Sequence, residues 1–306
     1  MQRISLLALL LLSCMIACGD DGYGPAVIAS SAAPGQFPVT VVDSRGTNFT
    51  FERPPERVVA IDSAVVEVMF ALGEGHRISA THEFVSYPPE AADLPRVGNA
   101  FALDTERIVD MEPDLVLIFF EGPVVSLESL GLPVLFLESP ATISETAERM
   151  RLWGRILGRQ TAGEALALSL EESIQSLRAR LPEMARGPRI YHDEAPGWWT
   201  TGSGSLAGDV YSLLRAQNIF SDIEGFTQVS PEQIVERDPE FIVSVYPEGP
   251  DMIKYEPALT QVSAVRERKI LSLDGDLIAI SGPRLRDGVE LIFRFLYPNL
   301  LSGDSD

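Results

Sequence analysis

The chain of 306 residues is 45% hydrophobic and 22% charged, with a formal net charge of −20. Single cores stop growing near about 250 to 300 residues, so this length accommodates two compact lobes. The composition excludes a disordered chain or, past the first segment, a membrane-spanning one, and so acidic a chain repels phosphate backbones, which argues against nucleic acid as a partner.

The first segment, MQRISLLALLLL, joins a basic start to an apolar run too short to cross a bilayer and reads as an export signal over residues 1–17. Both cysteines fall at its end, Cys14 after LLS and Cys18 after MIA. Each site resembles the lipobox of bacterial lipoproteins, in which a Cys after a small residue is lipidated and becomes the new N-terminus. Cys18 is preferred, with Cys14 as the alternative. From Gly19 onward there is no cysteine, so the mature fold has no disulfide and stands on its core alone. Residues 18–36, rich in Gly, Pro and small side chains without a hydrophobic period, read as a flexible tether.

Residues 37–51 predict two strands around the turn at Ser44, Arg45 and Gly46. A strand over 57–61, a helix over 63–72 stopped at Gly73, and a strand over 77–81 follow. Then come a helix over 103–111, a buried strand over 115–120, a short helix over 124–129 and a strand over 134–137. This rhythm predicts a mostly parallel sheet. From 143 to 181 there is no proline, and Met150, Trp153, Ile156, Leu157, Leu166, Leu170, Ile174 and Leu177 recur at helical spacing. That predicts one long helix with a possible break between Gly158 and Gly163. Alternating strands and helices resume at Arg189. The segment ERIVDMEPDLV at 106–116 aligns with EQIVERDPEFI at 232–242 at an offset of 126. The expected fold class is therefore α/β, with two Rossmann-like lobes (37–142 and 182–301) of mostly parallel sheet bridged by one long α-helix (143–181) and a cleft between them.

The stretch GWWTTGSGSLAG at 197–208 offers G-x-G-x-x-A but does not directly follow a strand, as a dinucleotide fingerprint would. It has no G-x-S-x-G nucleophile elbow, and the chain contains no P-loop. No enzyme and no cofactor is expected. Gly202 and Gly204 read as a turn passing close to ligand, and Ser203 or Ser205 as the start of the next helix. One of Trp198 and Trp199 is expected to be a ligand platform and the other core, because neighbours in extended backbone point opposite ways.

Taken together, the ordered pieces RVVA at 57–60 with Glu67, YPP at 87–89, ERIV at 106–109 with PDLV at 113–116, TGSGS at 201–205, NIF at 218–220, QVSPEQI at 228–234 and GPR at 282–284 resemble the extracytoplasmic solute-binding proteins that feed ABC importers of vitamin B12, ferric siderophores and haem. The match is nearest to the vitamin B12 binders. One departure is Ala216-Gln217, where the family has Gly-Gly, so the preceding helix must cap differently. The resemblance implies two lobes bridged by a rigid helix, with ligand in the cleft beyond the strand ends, where open α/β sheets bind ligands generally.

It also implies docking on a permease through one exposed glutamate per lobe. The matching positions are Glu67 and Glu232, each early in a helix where a carboxylate is favoured. The ligand-binding candidates at predicted strand ends are Asp62, Ser63, Phe84, Tyr87, Asn99, Phe101 and Phe120, beside Glu121, in the first lobe. In the second they are Trp198, Trp199, Phe226, Tyr246 and Arg284. Two buried tryptophans could contribute several kcal/mol to binding a large flat ligand, at about 25 cal/mol per Å² over roughly 150 to 250 Å² each. Acidic Glu83, Glu121, Asp193 and Glu194 beside a single basic candidate favour a neutral or cationic corrinoid over a ferric siderophore or haem. His76, His82 and His192 do not form a metal-site pattern. The expected partners are this small molecule, ABC permease subunits and the membrane through the N-terminal lipid, with the protein a monomer.

Overall fold

The computed structural model describes residues 37–183 and 186–300. The export signal, the tether and the lipidation sites at Cys14 and Cys18 lie outside the described residues.

The first lobe opens with the antiparallel hairpin β1 (Val39–Val42) and β2 (Asn48–Phe51), with Val39 opposite Phe51. The Asp43 carboxylate shapes its turn by accepting the backbone N–H groups of Arg45 and Thr47. There follow β3 (Val58–Ile61), α1 (Ser63–Ala71) and β4 (Ile78–Thr81). A two-residue ribbon, β5 (Gly98–Asn99) and β6 (Ala102–Leu103), leads to α2 (Thr105–Asp110), β7 (Leu115–Ile118), α3 (Val124–Ser129) and β8 (Val134–Phe136). Strands β4-β3-β7-β8 form a parallel sheet in that order. Val58, Ala60, Leu115 and Leu117 enter the central core, whereas Val59, Ile61, Val116 and Ile118 enter a second cluster on the other face. Both faces are covered, which is why these strands read as continuous apolar runs.

The helical stretch is two helices, which corrects the extent of the expected bridge. α4 (Ile143–Ile156) ends at Gly158, whose φ of +67° turns the chain, and α5 (Gln160–Ala179) runs back along it. Gly154 and Gly163 face each other so closely that a Cβ on Gly154 would lie 2.8 Å from the Gly163 Cα. Of the two helices, α5 is the one that carries the chain from the first lobe into the second. Its 20 residues span about 30 Å at roughly 1.5 Å each. It starts beside the first lobe, where Arg159 pairs with buried Glu74 at 2.5 Å, and its Ser169 hydroxyl meets Arg286 of the second lobe at 3.0 Å.

The second lobe repeats the first. In chain order it contains β9 (Arg189–Asp193), β10 (Trp199–Thr201), α6 (Leu206–Leu213), β11 (Gln217–Asn218), β12 (Phe226–Gln228), α7 (Pro231–Arg237) and β13 (Phe241–Ser244). α8 (Gly249–Tyr255), α9 (Ser263–Arg266), β14 (Ile270–Ser272), α10 (Asp276–Ala279) and α11 (Leu285–Leu296) complete it. Its parallel sheet is ordered β11-β9-β13-β14, and β10 pairs with β12 as an antiparallel arm.

The repeat at offset 126 carries into three dimensions. Asp104 and Ser230 cap α2 and α7, and Ile108 and Ile234 are the buried residue of each helix. Glu112 and Asp238 take left-handed φ values of 45° and 35°. Asp114 then accepts the backbone N–H groups of Glu56 and Arg57, as Glu240 accepts that of Arg189. No helix among the described residues is long and apolar enough to cross a membrane.

Candidate functional site

Parallel strands align their carboxyl ends, so the residues just past β3, β4, β7, β8 and β9 gather between the lobes. Two adjoining hollows, of about 170 and 320 Å³, meet there at Ser139 and Ala279. Asp62, Ser63, His82, Phe84, Phe101 and Phe119 line the first, closed by residues 279–281 of the second lobe. Residues 139–141, with His192, Glu194, Thr201, Ser205 and Phe226, line the second. A larger hollow of about 700 Å³ lies behind residues 202–205. It lacks the aromatic walls of the cleft, so the cleft is the better site for a flat ligand.

Those walls are built locally. Asn99 Oδ1 accepts the backbone N–H groups of Phe101 and Ala102, at 3.0 and 2.9 Å, holding the turn that leaves Phe101 74% exposed. The Phe101 ring sits 5.1 Å from Phe120 and 6.3 Å from Phe119. Asn99 thus supports the wall. In the second lobe Trp199 stacks flat on Phe226, with centroids 4.6 Å apart and planes 8° from parallel, and Phe226 is 57% exposed. Trp198, at a φ of +66°, turns the other way and packs on the cluster of Tyr191 and Phe220. Trp199 thus backs the exposed Phe226 ring, which lines the second hollow, whereas Trp198 is half-buried against the core; neither tryptophan itself lines either hollow.

The polar groups are pre-arranged. The Asp62 carboxylate caps α1 by accepting the Ala64 N–H at 2.8 Å, and burial pushes its carboxyl up against the opposing pull of Arg149. His82 is pushed down to about 4 by burial, with Arg96 adding to the effect, and so is neutral. Its Nδ1 accepts the Phe84 N–H, which leaves Nε2–H to donate to the Ser63 hydroxyl at 3.2 Å. His192 lies between the Tyr211 hydroxyl and Glu194. Both cleft histidines thus have both ring nitrogens engaged. Among the described residues no group of three or more His, Cys, Asp or Glu is placed to hold a metal ion.

Several expectations need correction. Glu67 is 3% exposed and paired with Arg284, so it is not a free docking carboxylate. Arg284, expected in the cleft, is spent on that pair and on the Tyr87 ring, 4.0 Å from its guanidinium carbon. Neither Tyr87 nor Arg284 lines either hollow. Tyr246 also lies outside them, against Met252 and the buried Asp193, whose carboxyl burial pushes up to about 6. Gly202 is required by a close approach to the chain itself, since a Cβ there would lie 1.8 Å from the Ile223 carbonyl oxygen. Gly204 does line the cleft, and Ser205 caps α6.

Glu232 is exposed at the second position of α7. Its counterpart in the first lobe is Glu106, exposed at the second position of α2. Val109 and Val235 are likewise exposed one turn further on. The internal repeat already aligned these two glutamates. The turns at 139–141 and 279–281 were missed. The first was findable as the carboxyl end of a predicted strand, whereas nothing periodic marks the second.

A model of the family described as periplasmic binding protein matches residues 58–277. The chain is 25% identical to an uncharacterized ABC transporter substrate-binding lipoprotein, YvrC, of Bacillus subtilis strain 168, over 95% of this chain and 96% of that one. It resembles the crystal structure of the vitamin B12-binding protein BtuF of Vibrio cholerae, with a TM-score of 0.72 and 25% identity over 80% of this chain and 98% of that one. The haem-binding protein RhuT from Roseiflexus sp. RS-1 shares the fold, with a TM-score of 0.71 and 22% identity over 80% and 99% of the two chains.

Proposed function

The chain belongs to the periplasmic binding protein family, and we propose that it captures a corrinoid, cobalamin or cobinamide, in the interlobe cleft. Its general role is that of a substrate-binding protein of an ABC importer of the vitamin B12, haem or siderophore class. The observation that carries the corrinoid reading is the charge of the cleft. Asp62, Glu194 and neutral His82 line it, and among the described residues neither hollow includes Lys or Arg. Haem carboxylates or an anionic ferric siderophore would find no counter-charge there. A large neutral or cationic ring finds the Trp199–Phe226 stack and the Phe101 wall.

Lipidation at Cys18, or at Cys14, would hold the protein at the outer face of the membrane as a monomer, in keeping with the lipoprotein name of its Bacillus relative. Docking on the permease is assigned to Glu106 and Glu232. Such rim charges act mainly on encounter and partner choice.

The test is titration of tryptophan fluorescence, in the chain freed of its export signal, with cobalamin, cobinamide, haemin and several ferric siderophores. Saturable quenching by a corrinoid is expected. Quenching by a siderophore or haemin but by neither corrinoid reverses the choice of cargo, and no response to any ligand removes the transport reading.

A further inference from the structure

The end of β9 carries a chain of side chains that the aromatic walls do not explain. Glu194 directly follows the strand, lines the second hollow and is 27% exposed. Its Oε2 lies 2.5 Å from His192 Nε2, and His192 Nδ1 lies 2.6 Å from the Tyr211 hydroxyl. His192 and Tyr211 are both fully buried. A carboxylate only accepts, so Nε2 carries the proton toward Glu194, while Nδ1 pairs with the Tyr211 hydroxyl. Burial keeps that hydroxyl protonated by raising its pKa well above the usual value. The Glu194 backbone N–H donates to the Trp199 carbonyl at 2.8 Å, tying the carboxylate to the aromatic platform.

Burial pushes the Glu194 carboxyl up, but the hydrogen bond from His192 and its electrostatic pull together outweigh this and hold the group below the ordinary carboxylate range. Its Oε1 has no hydrogen-bond partner among the described residues. A negative acceptor fixed through two buried side chains, with no Lys or Arg lining the hollow among the described residues, has a definite preference. It accepts N–H donors and repels carboxylates.

We propose that Glu194 is the specificity-determining residue of the cleft, accepting hydrogen bonds from primary-amide or ammonium groups on the rim of the bound ring and rejecting rings with carboxylates there. His192 and Tyr211 are positioning residues. The inference rests on the reading of the cleft as a site for an amide-rimmed corrinoid.

Two matched pairs test it by calorimetry: cobinamide against cobyrinic acid, its carboxylate counterpart, and haem diamide against haemin. The wild type should bind each amide form about 10-fold or more tightly than the acid form, as a hydrogen bond to a charged group predicts. Glu194→Gln should cut that ratio about 10-fold in whichever pair binds. Glu194→Asp, which keeps the charge, should preserve rejection of the acids. His192→Gln, whose amide can still donate to the carboxylate, should hold the ratio better than His192→Ala.

The two readings fail separately. Binding of haem diamide but not of cobinamide overturns the corrinoid assignment and leaves the role of Glu194 standing. An unchanged ratio in folded Glu194→Gln, or tighter binding of the acids by the wild type, overturns the role of Glu194. No binding of any of the four by the folded wild type overturns both.

Discussion

Arg284, at the start of α11 in the second lobe, donates through Nε and Nη2 to one oxygen of Glu67 on α1 in the first, at 2.9 and 2.6 Å. The other carboxylate oxygen of Glu67 is buried without a hydrogen-bond partner among the described residues. Burial pushes the Glu67 carboxyl up, and Arg284 offsets only part of this. A buried pair is strongly destabilising to break because the remaining charge is stranded.

Arg284→Met should therefore destabilise the fold in a pH-dependent way. Without its partner, Glu67 has a still higher folded pKa, so its contribution is kept at low pH, where it is protonated, and lost as pH rises. Urea denaturation should show a small loss at pH 5 growing to about 3 kcal/mol at pH 8. A loss that shrinks with rising pH would contradict this account.

Trp198 and Trp199 should separate stability from binding. Trp199→Ala removes the ring that backs Phe226 and should weaken ligand binding about 10- to 30-fold with little change in Tm. Trp198→Ala uncovers the buried cluster around Tyr191 and Phe220 and should cost about 2 kcal/mol with a smaller effect on affinity. Calorimetric titration and thermal melting of the two variants check both halves.

Charge reversal at both Glu106 and Glu232 should abolish uptake in cells while leaving ligand affinity unchanged. Both carboxylates are exposed on equivalent helices, so neither substitution disturbs the core. Charge reversal at Glu67 should instead lower stability. Normal uptake by the Glu106/Glu232 double variant would remove the docking assignment.

Arg215→Gly should stabilise the protein by up to about 1 kcal/mol, because Arg215 has a φ of +54° at the end of α6, where a side chain is strained. The bonds from Arg215 N to Ser212 O and from Ala216 N to Tyr211 O form the helix-ending pattern that ordinarily employs glycine at this position. The gain is reduced by the lost bond from Arg215 Nη1 to the Pro182 carbonyl and by the greater freedom of glycine in the unfolded chain. Thermal melting compares the two proteins directly.

The elements of both lobes were legible because buried parallel strands and amphipathic helices leave strong local patterns. α3 spans 124–129, as read from the sequence, and the repeat at 106 and 232 identified two equivalent supersecondary units. Gly158 marked the point where the helical run breaks. That α5 turns back along α4 depends on Gly154 meeting Gly163, a contact that periodicity does not encode. The misassignment of Glu67 has a similar origin. Its partner lies 217 residues away, and a glutamate early in a helix looks the same whether it faces water or an arginine of the other lobe.

By itself the sequence determined the α/β class, the two-lobed repeat, the acidic character and the gathering of aromatic residues at strand ends, all of which follow from short-range pattern and composition. Only the tertiary structure decided which tryptophan stacks on Phe226, which glutamates are exposed, and that His192 and Tyr211 hold Glu194 at the cleft. Those depend on which segments meet in space and which groups thereby lose water, and burial and charge act through that proximity rather than through position in the chain.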